Sequence, residues 1–155
     1  MEAEIITRND FWVVGLRHYG TNENEEFPAL WRAFWPRHKG IADRVEPVYA
    51  YGIIDEYDSE TNEMGYLAGI EVPEGCDAPE GMVKIHIPAQ TYAVFQCTLP
   101  TLMETIGKIH EEWLPASTYR RAEGPEYEYY DDRFDADQGK LEMSVWIPVE
   151  GKFLG

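Results

Sequence analysis

Basic residues are scarce in this sequence, and so are cysteines and long apolar runs. The 13 Lys and Arg face 29 Asp and Glu, which gives a formal net charge of −16. Nucleic-acid phosphates repel such a chain and no basic stripe is evident to offset this, so direct DNA or RNA binding is not expected. No apolar run approaches the roughly 20 residues that span a bilayer, which removes a membrane from the expected partners. The opening Met1-Glu2-Ala3-Glu4 lacks the basic-then-apolar pattern of a signal peptide and points to the cytoplasm. The two cysteines, Cys76 and Cys97, do not build a disulfide framework and are expected as thiols.

Signatures of chemistry are also sparse. His18, His38, His86 and His110 are scattered without metal-site spacing. No phosphate-cradling loop, dinucleotide fingerprint or nucleophile elbow occurs, and no cofactor is expected. No base can be assigned to Cys97 as a nucleophile, and it reads as a small thiol. The acidic stretch from Asp131 to Asp137 lacks calcium-loop spacing and reads as a solvated turn between strands.

Aromatic residues, by contrast, are plentiful: 10 Tyr, 6 Phe and 5 Trp make up 14% of 155 residues. Tyr and Trp combine an apolar body with a polar handle, which suits both cores and ligand clefts. The length and the 44% hydrophobic content fit one globular domain. A loop rich in Pro and Gly, Pro73 to Gly81, divides the chain. The same order of elements stands on either side of it, in repeats of about residues 5–73 and 82–150.

In the first half, Phe11 to Leu16 reads as a strand. Phe27, Leu30, Trp31, Phe34 and Trp35 then fall at helical spacing, with Pro28 in the first turn. Strands Val48 to Ile54 and Gly65 to Val72 follow. In the second half, Met82 to Ile87 and Thr91 to Cys97 are strand-like. Leu102, Met103, Ile106, Ile109 and Trp113 form a helical stripe closed by Pro115, and strands Glu126 to Tyr130 and Leu141 to Ile147 complete the order. The expected fold is α+β: two strand–helix–strand–strand units related by a pseudo-two-fold, sharing a largely antiparallel sheet with both helices on one face.

Tyr66-Leu67-Ala68-Gly69-Ile70-Glu71-Val72, Pro125-Glu126-Tyr127-Glu128-Tyr129-Tyr130-Asp131 and Val145-Trp146-Ile147-Pro148-Val149 resemble the signature strands of GyrI-like domains. These are also the effector-binding domains of AraC-type and MerR-type transcription regulators. The resemblance covers nearly the whole chain and rests on the joint order of short, degenerate motifs. It implies a central cleft between the halves that binds lipophilic, often cationic compounds against a buried glutamate flanked by aromatics. The matching glutamate is Glu128, followed by the family tyrosine at Tyr130. No helix-turn-helix segment precedes the domain, so the resemblance implies a standalone member.

The repeat adds an internal argument. The positions of Glu128 and Tyr130 correspond to Ala50 and Gly52 in the first half, and that of Trp146 to Gly69. Small residues would leave room in one half, while Glu128, Tyr130 and Trp146 would supply contacts in the other. A carboxylate in an apolar cleft is costly unless paired, and an organic cation would pair with it. The faces of Trp146 and Tyr130 would add about 0.5–2 kcal/mol each. Three functions stay open at this point. The leading one is binding of a small lipophilic or cationic ligand. The second is hydrolysis of reactive cyclopropane-containing compounds, with Glu128 as base for water and Tyr130 as proton donor. The third is a protein partner, as for the family's gyrase-inhibiting namesake. Monomer and homodimer are equally compatible with the sequence.

Overall fold

A computed structural model of the chain describes residues 1–153. Among them are ten strands: β1 (Glu4–Arg8), β2 (Phe11–Gly20), β3 (Ala50–Asp58), β4 (Glu63–Val72), β5 (Val83–Ile87), β6 (Gln90–Thr98), β7 (Tyr119–Arg121), β8 (Glu126–Tyr130), β9 (Phe134–Asp135) and β10 (Lys140–Gly151). Two principal helices, α1 (Glu26–Phe34) and α2 (Leu102–Lys108), complete an α+β fold. Contacts divide the chain into two compact units. One holds Asp10–Pro88, the other Met1–Asn9 with the chain from Ala89 onward.

In the 10–88 unit the strands lie in the order β3-β4-β2-β5, all antiparallel. Helix α1 begins where Asn22 Oδ1 accepts the Phe27 N–H at 2.8 Å, satisfying a donor that the first turn leaves orphaned. Pro28 sits in that same turn, where its missing N–H costs nothing. Phe27, Leu30, Trp31 and buried Phe34 then pack on Val14, Tyr66, Ala68, Ile70 and Val72. Trp35 departs from the expected stripe: it opens a 3-10 turn, Trp35–Gly40, and is 47% exposed. Trp35 still donates its N–H to the Trp31 carbonyl, and lying one step past buried Phe34 it is turned about 100° off the buried face, while Pro36 begins the change to 3-10 pitch.

In the other unit the order is β1-β6-β10-β8, with β7 and β9 paired to the two ends of β10. Thr98 and Thr101 cap the helical run that leads into α2. Leu102, Ile106, Ile109, Trp113 and Leu114 pack on Ala93, Phe95, Met143, Val145, Ile147 and Val149. Met103 does not belong to this stripe, being 75% exposed. Nor does Pro115 close the helix: after a π turn, Ile109–Trp113, a last helical turn runs through Pro115 to Ala116. The widened turn loosens the i→i−4 ladder where a proline can neither donate nor fit tightly.

The units are not the sequence repeats. β1 pairs with β6, and β5 pairs with β2, so the short first strand of each repeat joins the unit built from the other. The stretch after Asp131 is more structured than a plain turn, since Phe134–Asp135 pairs with β10 at Leu141 and Lys140.

Candidate functional site

The site is built on β8 and β10, whose register places Val145 opposite Glu128, Trp146 opposite Tyr127 and Ser144 opposite Tyr129. Opposed residues in an antiparallel pair point to the same face. Glu128 and Tyr130 therefore share the Val145 face, which α2 covers, while Trp146 lies on the reverse face with Tyr127 and Tyr129. The three residues that the sequence placed together are split two and one. Register is the reason: the alternation within each strand was legible, but which parity of β10 meets Glu128 was not.

Glu128 is 7% exposed. Its Oε1 accepts a hydrogen bond from the Tyr130 hydroxyl at 2.7 Å. The Tyr130 ring meets Phe134 edge-on at 4.8 Å between centroids. The carboxylate's field also reaches Cys97: burial pushes the thiol pKa up, the nearby Thr105 hydroxyl opposes this, and the charge on Glu128 reinforces it. Thr105 lies in α2 and borders a surface concavity of 660 Å³ lined also by Phe95, Lys108 and Trp113.

A second acid, Glu126, stands two residues earlier on the same face. Its carboxylate lies 3.6 Å from His110 Nε2 and 3.4 Å from Arg121 Nη2. Burial alone would raise its pKa, but His110 and Arg121 together outweigh burial and hold it below the usual carboxylate range. Glu126, His110, Arg121 and Thr105 are not among the site residues expected from the sequence. His110 sits on the π turn and Glu126 on a strand, so no local periodicity connects them.

On the reverse face Trp146 stacks on Tyr127 at 5.5 Å and 17°. Tyr92 and Tyr129 meet it edge-on, at 5.5 and 6.0 Å. Its indole N–H donates to Ser144 Oγ at 3.0 Å. The result is a close aromatic cluster in which Tyr92 and Tyr127 are almost completely buried.

In the 10–88 unit, Ala50 and Gly52 stand opposite Ile70 and Ala68, on the face that α1 covers, and Gly69 is on the reverse. Gly69 has a local reason to be small. A Cβ there would lie 2.5 Å from the Val14 carbonyl oxygen and 2.7 Å from Leu67 Cδ2. Among the described residues no three His, Cys, Asp or Glu side chains are grouped to hold a metal ion, and no helix is long and apolar enough to cross a membrane.

The buried Glu128 carboxylate and the rings around it thus stand in an α+β fold of antiparallel strands and packed helices. The comparisons make this specific: the chain belongs to the family of integron-associated effector binding proteins, which it matches over residues 4–149. This bears out the resemblance to GyrI-like effector-binding domains. The chain is 36% identical over 155 residues to the transcriptional regulator BrlR of Pseudomonas aeruginosa, covering 96% of this chain. It spans only 56% of that curated relative's length. Among solved structures, the C-terminal domain of EcmrR superposes with a TM-score of 0.75 at 14% identity, covering 97% of this chain and 98% of that one. SAV2435, solved bound to tetraphenylphosphonium, gives a TM-score of 0.73 at 15% identity, covering 97% and 95%. At such identities these two likenesses establish the fold.

Proposed function

We propose that this domain binds a lipophilic organic cation, with Glu128 as the counter-charge and Tyr130 as the group that holds its carboxylate in place. The observation that carries the reading is the burial of Glu128, 7% exposed, with the Tyr130 hydroxyl donating to it at 2.7 Å. A buried carboxylate is expensive to keep, and proteins keep one where a cation or donors compensate it. Aromatic faces beside such a charge attract a delocalised cation without specifying its shape, which suits a sensor of varied lipophilic compounds. SAV2435 taking tetraphenylphosphonium supports the choice of ligand class. Because Trp146 occupies the reverse face, Tyr130 and Phe134 are the rings assigned to contact, and Trp146 with Tyr127 the stack that fixes the strands. The small residues Ala50, Gly52 and Gly69 remain proposed as positions where added bulk weakens binding.

The test is a titration of the protein with tetraphenylphosphonium and with neutral triphenylphosphine oxide, followed by tryptophan fluorescence, in wild type and Glu128→Gln. Saturable binding of the cation that weakens at least about tenfold in the variant, with no such loss for the neutral compound, is the expected result. Equal affinity in both proteins would return Glu128 to a purely structural role.

The same pair supports hydrolysis as a second reading. The two groups stand within hydrogen-bond reach of each other, so Glu128 would take a proton from water as its oxygen bonds to one ring carbon, while the Tyr130 hydroxyl protonates the other carbon of the broken C–C bond and regains its proton from Glu128. A cyclopropane-containing compound that stays intact after prolonged incubation with wild type removes this reading.

A further inference from the structure

The cations of this acidic chain are unevenly distributed. Residues 31–46 carry Arg32, Arg37, Lys39 and Arg44 against two acids, Asp43 and Glu46, a local charge of 4 − 2 = +2. The remainder of the chain then carries −16 − 2 = −18. At physiological salt, charges further off than about 8 Å are largely screened, so a ligand at this surface responds to the local sign.

The same segment displays an aromatic residue. Trp35 is 47% exposed, and its ring stacks on His38 at 4.2 Å and 15°. Exposed Val45 lies a short distance along the chain, at 37%. The four cations divide into two pairs. Arg37 donates to the Glu80 carbonyl at 2.7 Å; Arg44 donates to the Lys39 and Ile41 carbonyls at 2.8 and 3.2 Å and pairs with Glu46 at 3.7 Å. Those two are occupied in holding the 3-10 turn and the loop beside it. Arg32 and Lys39 are exposed, and neither makes an ion pair among the described residues. Both lie within four residues of Trp35, Arg32 in the last turn of α1 and Lys39 in the 3-10 turn that follows it.

From this we infer that the exposed surface around Arg32, Trp35 and Lys39 is a docking surface for an acidic peptide segment of a partner protein, one in which Asp or Glu alternate with large apolar residues. Two exposed cations close in sequence to an exposed indole match that chemistry in charge and in apolar character. Tryptophan and arginine are also the residues that most often dominate protein interfaces. A nucleic acid fits less well, because two of the four cations are committed to carbonyls and a long polyanion would extend into the acidic remainder. The inference is independent of the ligand reading, since none of these residues lies in the unit that carries Glu128.

The experiment uses a fluorescein-labelled peptide of alternating Glu and Leu or Phe. Its controls are the same peptide with Gln for Glu and a single-stranded oligonucleotide of equal charge. Anisotropy is read with wild type, Trp35→Ala and the double variant Arg32→Glu/Lys39→Glu. The expected result is saturable binding of the acidic peptide that falls roughly tenfold or more in each variant, with the Gln peptide binding weakly. Circular dichroism and the tetraphenylphosphonium titration stay unchanged in both variants, since the altered side chains are exposed. The inference is overturned if the acidic peptide does not bind, if the variants bind it as well as wild type, or if the oligonucleotide binds this face more tightly.

Discussion

Tyr130→Phe removes the hydroxyl that donates to Glu128 Oε1 at 2.7 Å and keeps the ring that packs edge-on against Phe134. A hydrogen bond to a charged group contributes about 1.5–3 kcal/mol, and one between neutral groups about 0.5–1.5 kcal/mol. Glu128 is 7% exposed, so water does little to replace the lost donor, and the charged range applies. Tyr130→Phe should therefore destabilise the wild-type protein by about 2 kcal/mol, and by only about 1 kcal/mol in the Glu128→Gln background, where the partner is neutral. The coupling between the two sites is then about 1 kcal/mol, above the roughly 0.3–0.5 kcal/mol within which independent sites add. Urea unfolding of the four proteins at neutral pH, followed by tryptophan fluorescence, measures it, provided the four m-values agree. A thermal melt offers a check, since for a chain of this size 1 kcal/mol moves Tm by about 2–4 °C. Additive effects within error would refute the reasoning, because the hydroxyl would then not act through the carboxylate's charge.

The remaining predictions concern other parts of the fold. Glu126 has a folded-state pKa below its ordinary value, so its ionised form stabilises the protein above the unfolded pKa and that contribution is lost as pH falls through the folded one. Glu126→Gln should thus lower stability at neutral pH and flatten the acid limb of an unfolding profile below about pH 5; an unchanged limb would contradict it. Burial first and the Glu128 charge as well push the Cys97 thiol up, so its alkylation by iodoacetamide at pH 8 should be slow and should accelerate in Glu128→Gln. An unaltered rate would mean the carboxylate does not act on the thiol. At Gly69 an added methyl would come within 2.5 Å of the Val14 carbonyl oxygen. Gly69→Ala should cost at least about 2 kcal/mol in urea unfolding, and a loss under 0.5 kcal/mol would show that β2 and β4 adjust freely.

The helices were legible because period 3.6 is a local signal: Phe27, Leu30, Trp31 and Phe34 lie on the buried face of α1 as their spacing indicates. The signal failed at its ends. Trp35 and Met103 each follow directly on a buried helical residue, and a residue one step along is rotated by about 100°, which turns an apolar side chain into solvent. Strand existence was also legible, from β-branched and aromatic runs. Strand partnership was not. Val83–Ile87 reads naturally as the opening of the second half, yet it pairs with β2, because pairing is decided by which edge is open and not by neighbours in sequence. The Glu126 ion pairs were hidden for a similar reason, since they join a π turn, a short strand and β8, three elements with no shared periodicity.

The division of the aromatic residues follows from the same limits and bears on how the domain works. A strand presents alternate side chains to alternate faces, so Tyr127-Glu128-Tyr129-Tyr130 cannot place all its rings beside the carboxylate. Tyr127 and Tyr129 go with Trp146, where ring packing and the indole–Ser144 hydrogen bond rigidify β8 against β10. Tyr130 alone of the three shares the face of Glu128 and reaches its oxygen. Under the proposed function, rigidity on one face of the sheet and a held charge on the other are separate requirements, because a carboxylate that binds a cation gains nothing from stacking but loses preorganisation if its strand moves. Trp146→Phe should accordingly weaken cation binding less than Glu128→Gln does, while lowering stability more than a surface substitution. If Trp146→Phe instead abolished binding at unchanged stability, the indole would be a contact residue and the assignment of the two faces to two roles would be wrong.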